Sequence, residues 1–226
     1  MKTGIFYAVG VGPGDPELMT VKAVRLLKEA DLIAVPDKGS GDRTAQQIAA
    51  PYLEGKPLLL CPTPMVRDRV QLDRGYAQIA DRIAGELDQG KTVAFLTLGD
   101  PSIYSTAVYV HQRLRERGYD SRMVPGVPSF CACAAALGES LCERSQRLLI
   151  APGSGEDDEI LRFGGTRVFM KSGKAILRLQ QQLREAGLLE KAMAVENCGM
   201  ENERHWAHFA DMTEPCGYFC VVIVKE

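Results

Sequence analysis

Three short stretches hold residues whose types and spacing could serve chemistry. The first is Gly10-Val11-Gly12-Pro13-Gly14-Asp15-Pro16-Glu17, directly after a β-branched and aromatic run. Glycines there let a ligand come close to the backbone. The dinucleotide fingerprint GxGxxG, however, needs glycine three residues after Gly12, where Asp15 stands. Pro13 and Pro16 also remove two amide donors from the loop. A tight turn with a helix start at residues 15–17 accounts for the same residues. The second stretch, Thr97-Leu98-Gly99-Asp100-Pro101-Ser102-Ile103-Tyr104, closes a buried apolar strand, and the carboxyl ends of such strands are where open α/β sheets bind ligands. Asp100 could accept from a cationic or amine-bearing ligand, or cap a following helix. The third, Pro125-Gly126-Val127-Pro128-Ser129-Phe130, reads as a hinge and equally as a Pro-Gly turn with a serine N-cap.

Other reactive side chains offer less. Seven cysteines (61, 131, 133, 142, 198, 216 and 220) include no CxxC pair. Cys131 and Cys133 fall on nearly opposite sides of a helix and read as small hydrophobes. His205 and His208 lie in a strand-like segment, and no zinc set can be assembled. There is no GxxxxGK[ST] run and no GxSxG elbow, so phosphate-loop and serine-hydrolase readings have no support.

The elements that must position these stretches alternate. Strands are expected at residues 4–9, 32–35, 58–60, 91–98 and 120–124. Helices are expected around residues 18–30, 44–52, 72–87 and 102–117, the third carrying Leu72, Tyr76, Ile79, Ile83 and Leu87 on one face. Such alternation means a mainly parallel sheet covered by helices. After residues 125–128 the pattern changes. A small-residue helix at 129–138 precedes strands at 147–151, 166–171 and 192–197, with a helix at 174–186. Residues 205–210 and 218–224, with no helix between them, read as an antiparallel hairpin. The expected fold is α/β: two α/β domains, residues 1–125 and 126–226, with the active site in a cleft between them.

Composition narrows the class. Of 226 residues, 46% are hydrophobic and 25% charged, the ordinary globular range. Twenty-seven basic against 29 acidic side chains give a net charge of −2, without the basic excess of a nucleic-acid binder. The longest uncharged stretch, residues 123–138, falls short of the ~20 apolar residues of a membrane span. No secretory apolar region is legible at the start. The expectation is a cytoplasmic protein with reduced thiols, with neither nucleic acid nor membrane as a partner.

Taken in order, residues 10–20, Gly99-Asp100-Pro101 and Val124-Pro125-Gly126-Val127-Pro128-Ser129 resemble the three signatures of the tetrapyrrole methylase family, the class III methyltransferases. Residues 95–106, Glu196-Asn197-Cys198-Gly199-Met200-Glu201, Tyr218-Phe219 and Met65-x-Arg67-Asp68 are similar to the subgroup that methylates carbon 20 of precorrin-2 or cobalt-factor II. The resemblance implies a homodimer that uses S-adenosylmethionine as methyl donor and holds no protein-bound metal. The donor site it implies comprises Pro13, Gly99, Asp100, Ile103, Pro128, Ser129, Met170, Ala194 and Tyr218. Two positions depart from the family pattern: Pro128 replaces a serine or threonine, and Cys220 replaces a serine.

On that resemblance the acceptor brings its own nucleophile, an electron-rich ring carbon, and needs no serine or cysteine from the protein. Asp100 and Tyr218 are the candidate catalytic residues, as a base for the departing proton or as partners of ring charge. The ring is a polycarboxylate, so cations should line the cleft. Arg67 and Arg69 are the candidates, with Lys38 and Arg43 in neighbouring loops. Three rival readings stay open: the same fold acting on another corrin-pathway carbon or on an RNA or protein acceptor, a nicotinamide oxidoreductase, and a tetrapyrrole-binding module without turnover.

Overall fold

The computed structural model describes residues 4–39, 43–64, 66, 68–153 and 158–226. It divides into two compact units, Met1–Pro128 and Ser129–Glu226, each with its own sheet.

The first unit is built on strands β1 (Ile5–Gly10), β2 (Leu32–Asp37), β3 (Leu58–Pro62), β4 (Thr92–Thr97) and β5 (Asp120–Val124). They form one sheet in the order β3-β2-β4-β1-β5, every neighbouring pair parallel. Parallel strands need covered faces, so the central ones are apolar throughout. In β1, Phe6 and Ala8 face one core and Val9 the other. In β4, Val93 and Phe95 alternate with Ala94 and Leu96 in the same way. One face is covered by α3 (Arg69–Asp88) and α4 (Ala107–Glu116), through Ile79, Ile83, Leu87, Val110 and Leu114. The opposite face receives α1 (Val21–Glu29) and α2 (Thr44–Ala49), through Leu26, Leu27 and Ile48. Removing a wholly buried side chain such as Phe95 would cost about 3–5 kcal/mol.

This layering positions the glycine stretches. The chain leaves β1 toward α1 on one face and leaves β4, its neighbour, toward α4 on the other. Adjacent parallel strands whose connections depart to opposite faces form a topological switch point, and a crevice opens beyond their carboxyl ends.

The second unit carries β6 (Leu148–Pro152), β7 (Thr166–Met170), β8 (Ala192–Glu196), β9 (Arg204–Trp206) and β10 (Cys220–Val224) in the order β6-β7-β10-β8-β9. The β6–β7 pair is parallel and the remaining pairs are antiparallel. Helix α7 (Ile176–Glu185) buries Ile176, Leu179 and Leu183 in the core of this unit, and α5 (Ser129–Leu137) lies against β10 and β8. A short helix α6 (Asp158–Arg162) precedes β7.

Several expectations change. The last two strands are not a hairpin: β10 inserts between β7 and β8, while β9 pairs with the outer side of β8. All five residues of β10 are buried, which suits a central slot, whereas β9 has three residues, two of them exposed, and suits an edge. The helix expected from residue 102 begins at Ala107, after irregular turns. The first helix starts only at Val21, where Thr20 caps the Ala23 amide at 3.1 Å. The helix start expected at residues 15–17 is instead a 3₁₀ turn, Pro16–Leu18. Val21 therefore lies outside the apolar face, 87% exposed. Among the described residues no helix is long and apolar enough to cross a membrane.

Candidate functional site

In the first unit the first two glycine stretches and residues 125–128 of the third meet at the carboxyl ends of β4, β1 and β5. Gly12 and Gly99 form a two-way backbone bridge, Gly99 N–H to Gly12 O at 2.7 Å and the reverse at 3.4 Å. Both adopt left-handed backbone, with φ of +79° and +68°, a region open to glycine at little steric cost. Gly10 and Gly126 bring the third stretch alongside. A Cβ on Gly126 would stand 2.2 Å from the Gly99 carbonyl oxygen, and one on Gly10 would stand 2.6 Å from both that oxygen and the Gly126 nitrogen. Gly10 and Gly126 are therefore dictated by backbone packed directly on backbone, and Gly12 and Gly99 by their left-handed conformation.

Asp100 fastens the assembly. One carboxylate oxygen accepts the Gly126 amide at 2.9 Å, and the other accepts the Ser102 amide at 2.7 Å and its hydroxyl at 2.5 Å. It does not cap α4, which begins seven residues later. Thr20 adds a further tie, its hydroxyl donating to the Pro125 carbonyl at 3.5 Å.

The remaining expected residues distribute as follows. Pro13 is buried within the first stretch, Ile103 is half-buried in the turns before α4, and Pro128 ends the first unit. In the second unit Ser129 opens α5, Met170 ends β7, and Ala194 is wholly buried inside β8. Tyr218 lies on the loop before β10, 44% exposed, edge-on to Phe219 with ring centroids 5.3 Å apart. Partial burial raises its phenol pKa, so at neutral pH it is a hydrogen-bond donor and not a base.

Arg69 is the exposed first residue of α3, and Arg67 lies outside the described residues, as does Met65. Arg43 is engaged with Asp37 at 3.1 Å. Of the Cys131–Cys133 pair, Cys133 is buried as a small hydrophobe would be, but Cys131 is exposed. Among the described residues no group of three or more His, Cys, Asp or Glu could hold a metal ion.

Backbone strain marks positions that residue types alone did not single out. Four described non-glycine residues have positive φ: Tyr104, Arg144, Lys171 and Asn197. Three of them directly follow Ile103, Met170 and Glu196, all within or beside the expected donor-site segments. Strain of this kind clusters at ligand-binding positions. Two buried hydroxyls without hydrogen-bond partners lie close by in sequence: Thr97, two residues before Gly99, and Ser172, two after Met170. Thr166, at the far end of β7, is the third such hydroxyl among the described residues. Each unsatisfied group costs about 1–3 kcal/mol, which a polar ligand or water would offset.

Comparison with known proteins gives this geometry its family. The family model of the Tetrapyrrole (Corrin/Porphyrin) Methylases matches residues 6–212. The cobalt-precorrin-2 C(20)-methyltransferase of Salmonella typhimurium is 32% identical over 230 residues, covering 99% of this chain and 97% of that protein. The cobalamin biosynthesis protein CobIJ of Mycobacterium tuberculosis is 36% identical over 213 residues, 89% of this chain. The alignment spans only 42% of the CobIJ protein's length. The solved uroporphyrin-III C-methyl transferase of Thermus thermophilus, complexed with S-adenyl homocysteine, superposes with a TM-score of 0.71 at 23% identity, covering 99% of this chain and 98% of that one. By the extent of the family match, with near-full-length relatives beside it, the chain belongs to the tetrapyrrole methylases.

Proposed function

We propose that this chain transfers a methyl group from S-adenosylmethionine to carbon 20 of precorrin-2 or cobalt-factor II, in corrin biosynthesis. The observation that carries the proposal is the convergence of the Gly12, Gly99 and Gly126 stretches at the switch point of the first sheet. The full-length similarity to a protein named for that carbon supports the substrate.

The residues fit the donor. On the first unit, Pro13, Gly99, Asp100, Ile103 and Pro128 are the proposed contacts, with the unpartnered Thr97 hydroxyl as an additional polar group. On the second they are Ser129, Met170, Ala194 and Tyr218, joined by the Ser172 hydroxyl. When bound, the sulfonium supplies an electrophilic methyl. The protein's part is to orient and to exclude water, and orientation alone can contribute about 7–11 kcal/mol to lowering the barrier. Asp100 is committed to three hydrogen bonds within the chain. Its proposed role is therefore to hold the Gly99 and Gly126 backbones, which leaves Tyr218 as the group beside the reaction. A neutral phenol there steadies charge on the ring by donating a hydrogen bond. Arg69, with Arg67, is proposed to meet ring carboxylates. Assembly as a homodimer in the cytoplasm belongs to the same reading and rests on the family resemblance.

The test is incubation with the donor and each ring in turn, one metal-free and one containing cobalt, with the product read by mass and by NMR. One added methyl at carbon 20 of either ring supports the reading. Methylation at another carbon favours the runner-up, a methylase of another corrin-pathway position. Ring binding with no transfer overturns both.

A further inference from the structure

Glu196 combines deep burial with a full set of partners, and both point at one loop. It ends β8, is 3% exposed, and faces Cys220 of β10 in the strand register. One carboxylate oxygen accepts the amide of Gly217. The other takes a forked pair from Arg204, Nε at 2.7 Å and Nη2 at 2.5 Å. The next residue, Asn197, donates its amide to the Phe219 carbonyl at 3.0 Å. The residues on either side of Tyr218 are thus held, Gly217 by its amide and Phe219 by its carbonyl, by consecutive residues at the end of a neighbouring strand. Gly217 is fitted to this contact, since a Cβ there would stand 3.1 Å from the Glu196 oxygen. Arg204 is itself braced over the Trp206 ring, its guanidinium carbon 5.0 Å from the centroid.

A buried carboxylate is an expensive way to close a loop, because desolvation offsets much of what its partners return. Conformational specificity is one reason to keep such a charge. We propose that Glu196 is a positioning residue for the methyl transfer: through the Gly217 amide it fixes where Tyr218 stands beside the ring. The proposal rests on the reading that Tyr218 serves the transfer.

The test is a double-mutant cycle on the full chain with kcat, the KM for the ring and the calorimetric affinity for S-adenosylhomocysteine as readouts. Glu196→Gln preserves the shape of the side chain but offers the Gly217 amide and Arg204 a single acceptor oxygen and no charge. Misplacing a reacting group by about 1 Å can cost on the order of 100-fold in rate, so a fall in kcat of at least tenfold is expected. In a Tyr218→Ala background the same substitution should change kcat less than twofold, because the side chain it positions is gone. A purely structural role predicts equal losses in both backgrounds, and that result overturns the proposal, as does an unchanged kcat in Glu196→Gln.

If Tyr218→Ala alone leaves turnover and affinity unaltered, the reading of Tyr218 fails first and the proposal fails with it. Should Glu196→Gln not fold, Arg204→Gln replaces it. That side chain is half exposed, and the variant loosens the same carboxylate. A loss of kcat that disappears in the Tyr218→Ala background supports the proposal. An undiminished loss, or none, overturns it. Emission from Trp206, the only tryptophan, reports that the Arg204 contact has been altered as intended.

Discussion

The Asp100 carboxylate and the Gly126 amide, 26 residues apart in sequence, are joined by a hydrogen bond of 2.9 Å. The other carboxylate oxygen is occupied by Ser102, so one side chain locks the turn after β4 to the turn after β5. Asp100→Asn preserves volume but supplies one acceptor oxygen where two are engaged. Its amide nitrogen would then face either the Gly126 or the Ser102 donor. We expect a stability loss of about 1–3 kcal/mol in thermal or denaturant unfolding. Affinity for S-adenosylhomocysteine should weaken about tenfold, equivalent to ~1.4 kcal/mol. A base at this position predicts the opposite division: kcat would collapse while calorimetric affinity stayed unchanged.

The contact between Gly126 and Gly99 supplies a sharper test. A methyl on Gly126 would meet the Gly99 carbonyl oxygen at 2.2 Å and the Gly10 Cα at 2.9 Å, backbone on both sides with no side chain to swing away. Gly126→Ala should therefore lower stability by about 1–3 kcal/mol, as overpacking does, and donor affinity should fall with it. Gly99→Val places a β-branched residue at φ +68° and should impair folding as well as binding. Gly85→Ala serves as the control. Its Cβ would meet nothing within 4 Å inside α3, and Ala there should raise stability by about 0.5–1 kcal/mol.

How much of this was legible follows from the range of the interactions involved. The five strands of the first unit were readable because each is a local apolar run closed by turn residues. The glycine stretches were readable as loops at strand ends. What the sequence withheld is pairing across distance. Nothing near Asp100 indicates that its partner is Gly126, so the residue read equally well as a ligand contact or a helix cap. The placement of β10 failed for the same reason: the absence of an intervening helix argued for a hairpin with its predecessor. The decisive term was instead the burial of Cys220, Val221, Val222, Ile223 and Val224 on both faces, which a terminal hairpin could not provide. Glu196 lay inside a recognised stretch with no role read for its side chain, because its partners Arg204 and Gly217 come from two later segments.

The thiols should react in two classes. Cys131 and Cys142 are exposed, whereas Cys61, Cys133, Cys198, Cys216 and Cys220 are buried. Burial also pushes the Cys61 thiol up to about 11, which leaves little thiolate at neutral pH. A chromogenic disulfide reagent at pH 8 should therefore titrate two thiols quickly, and the remaining five only after denaturant is added. Four or more fast thiols would show that the core of the second unit opens readily, since all the buried cysteines but Cys61 lie there.

His111 sets a pH limit on the first unit. It sits on α4, 7% exposed, with its Nδ1 2.7 Å from the Ser121 hydroxyl of β5. Burial, reinforced by the Arg115 charge, holds its pKa below the ordinary 6.5. The unfolded chain therefore takes up this proton more readily than the folded one, and stability must fall as pH drops. The contribution is fully present above pH 6.5 and is lost progressively below it. Carboxylates such as Asp37, held low mainly by the Gly39 amide and further by Arg43, lose their contribution only as pH falls below the ordinary 3.8. Thermal unfolding should accordingly show a decline between pH 7 and pH 5 that carboxylates do not explain. His111→Asn, which cannot titrate there, should flatten that decline whatever it does to stability at pH 8. An unchanged slope would mean that the imidazole charges without hindrance in the folded state, and that α4 gives way to admit water around it.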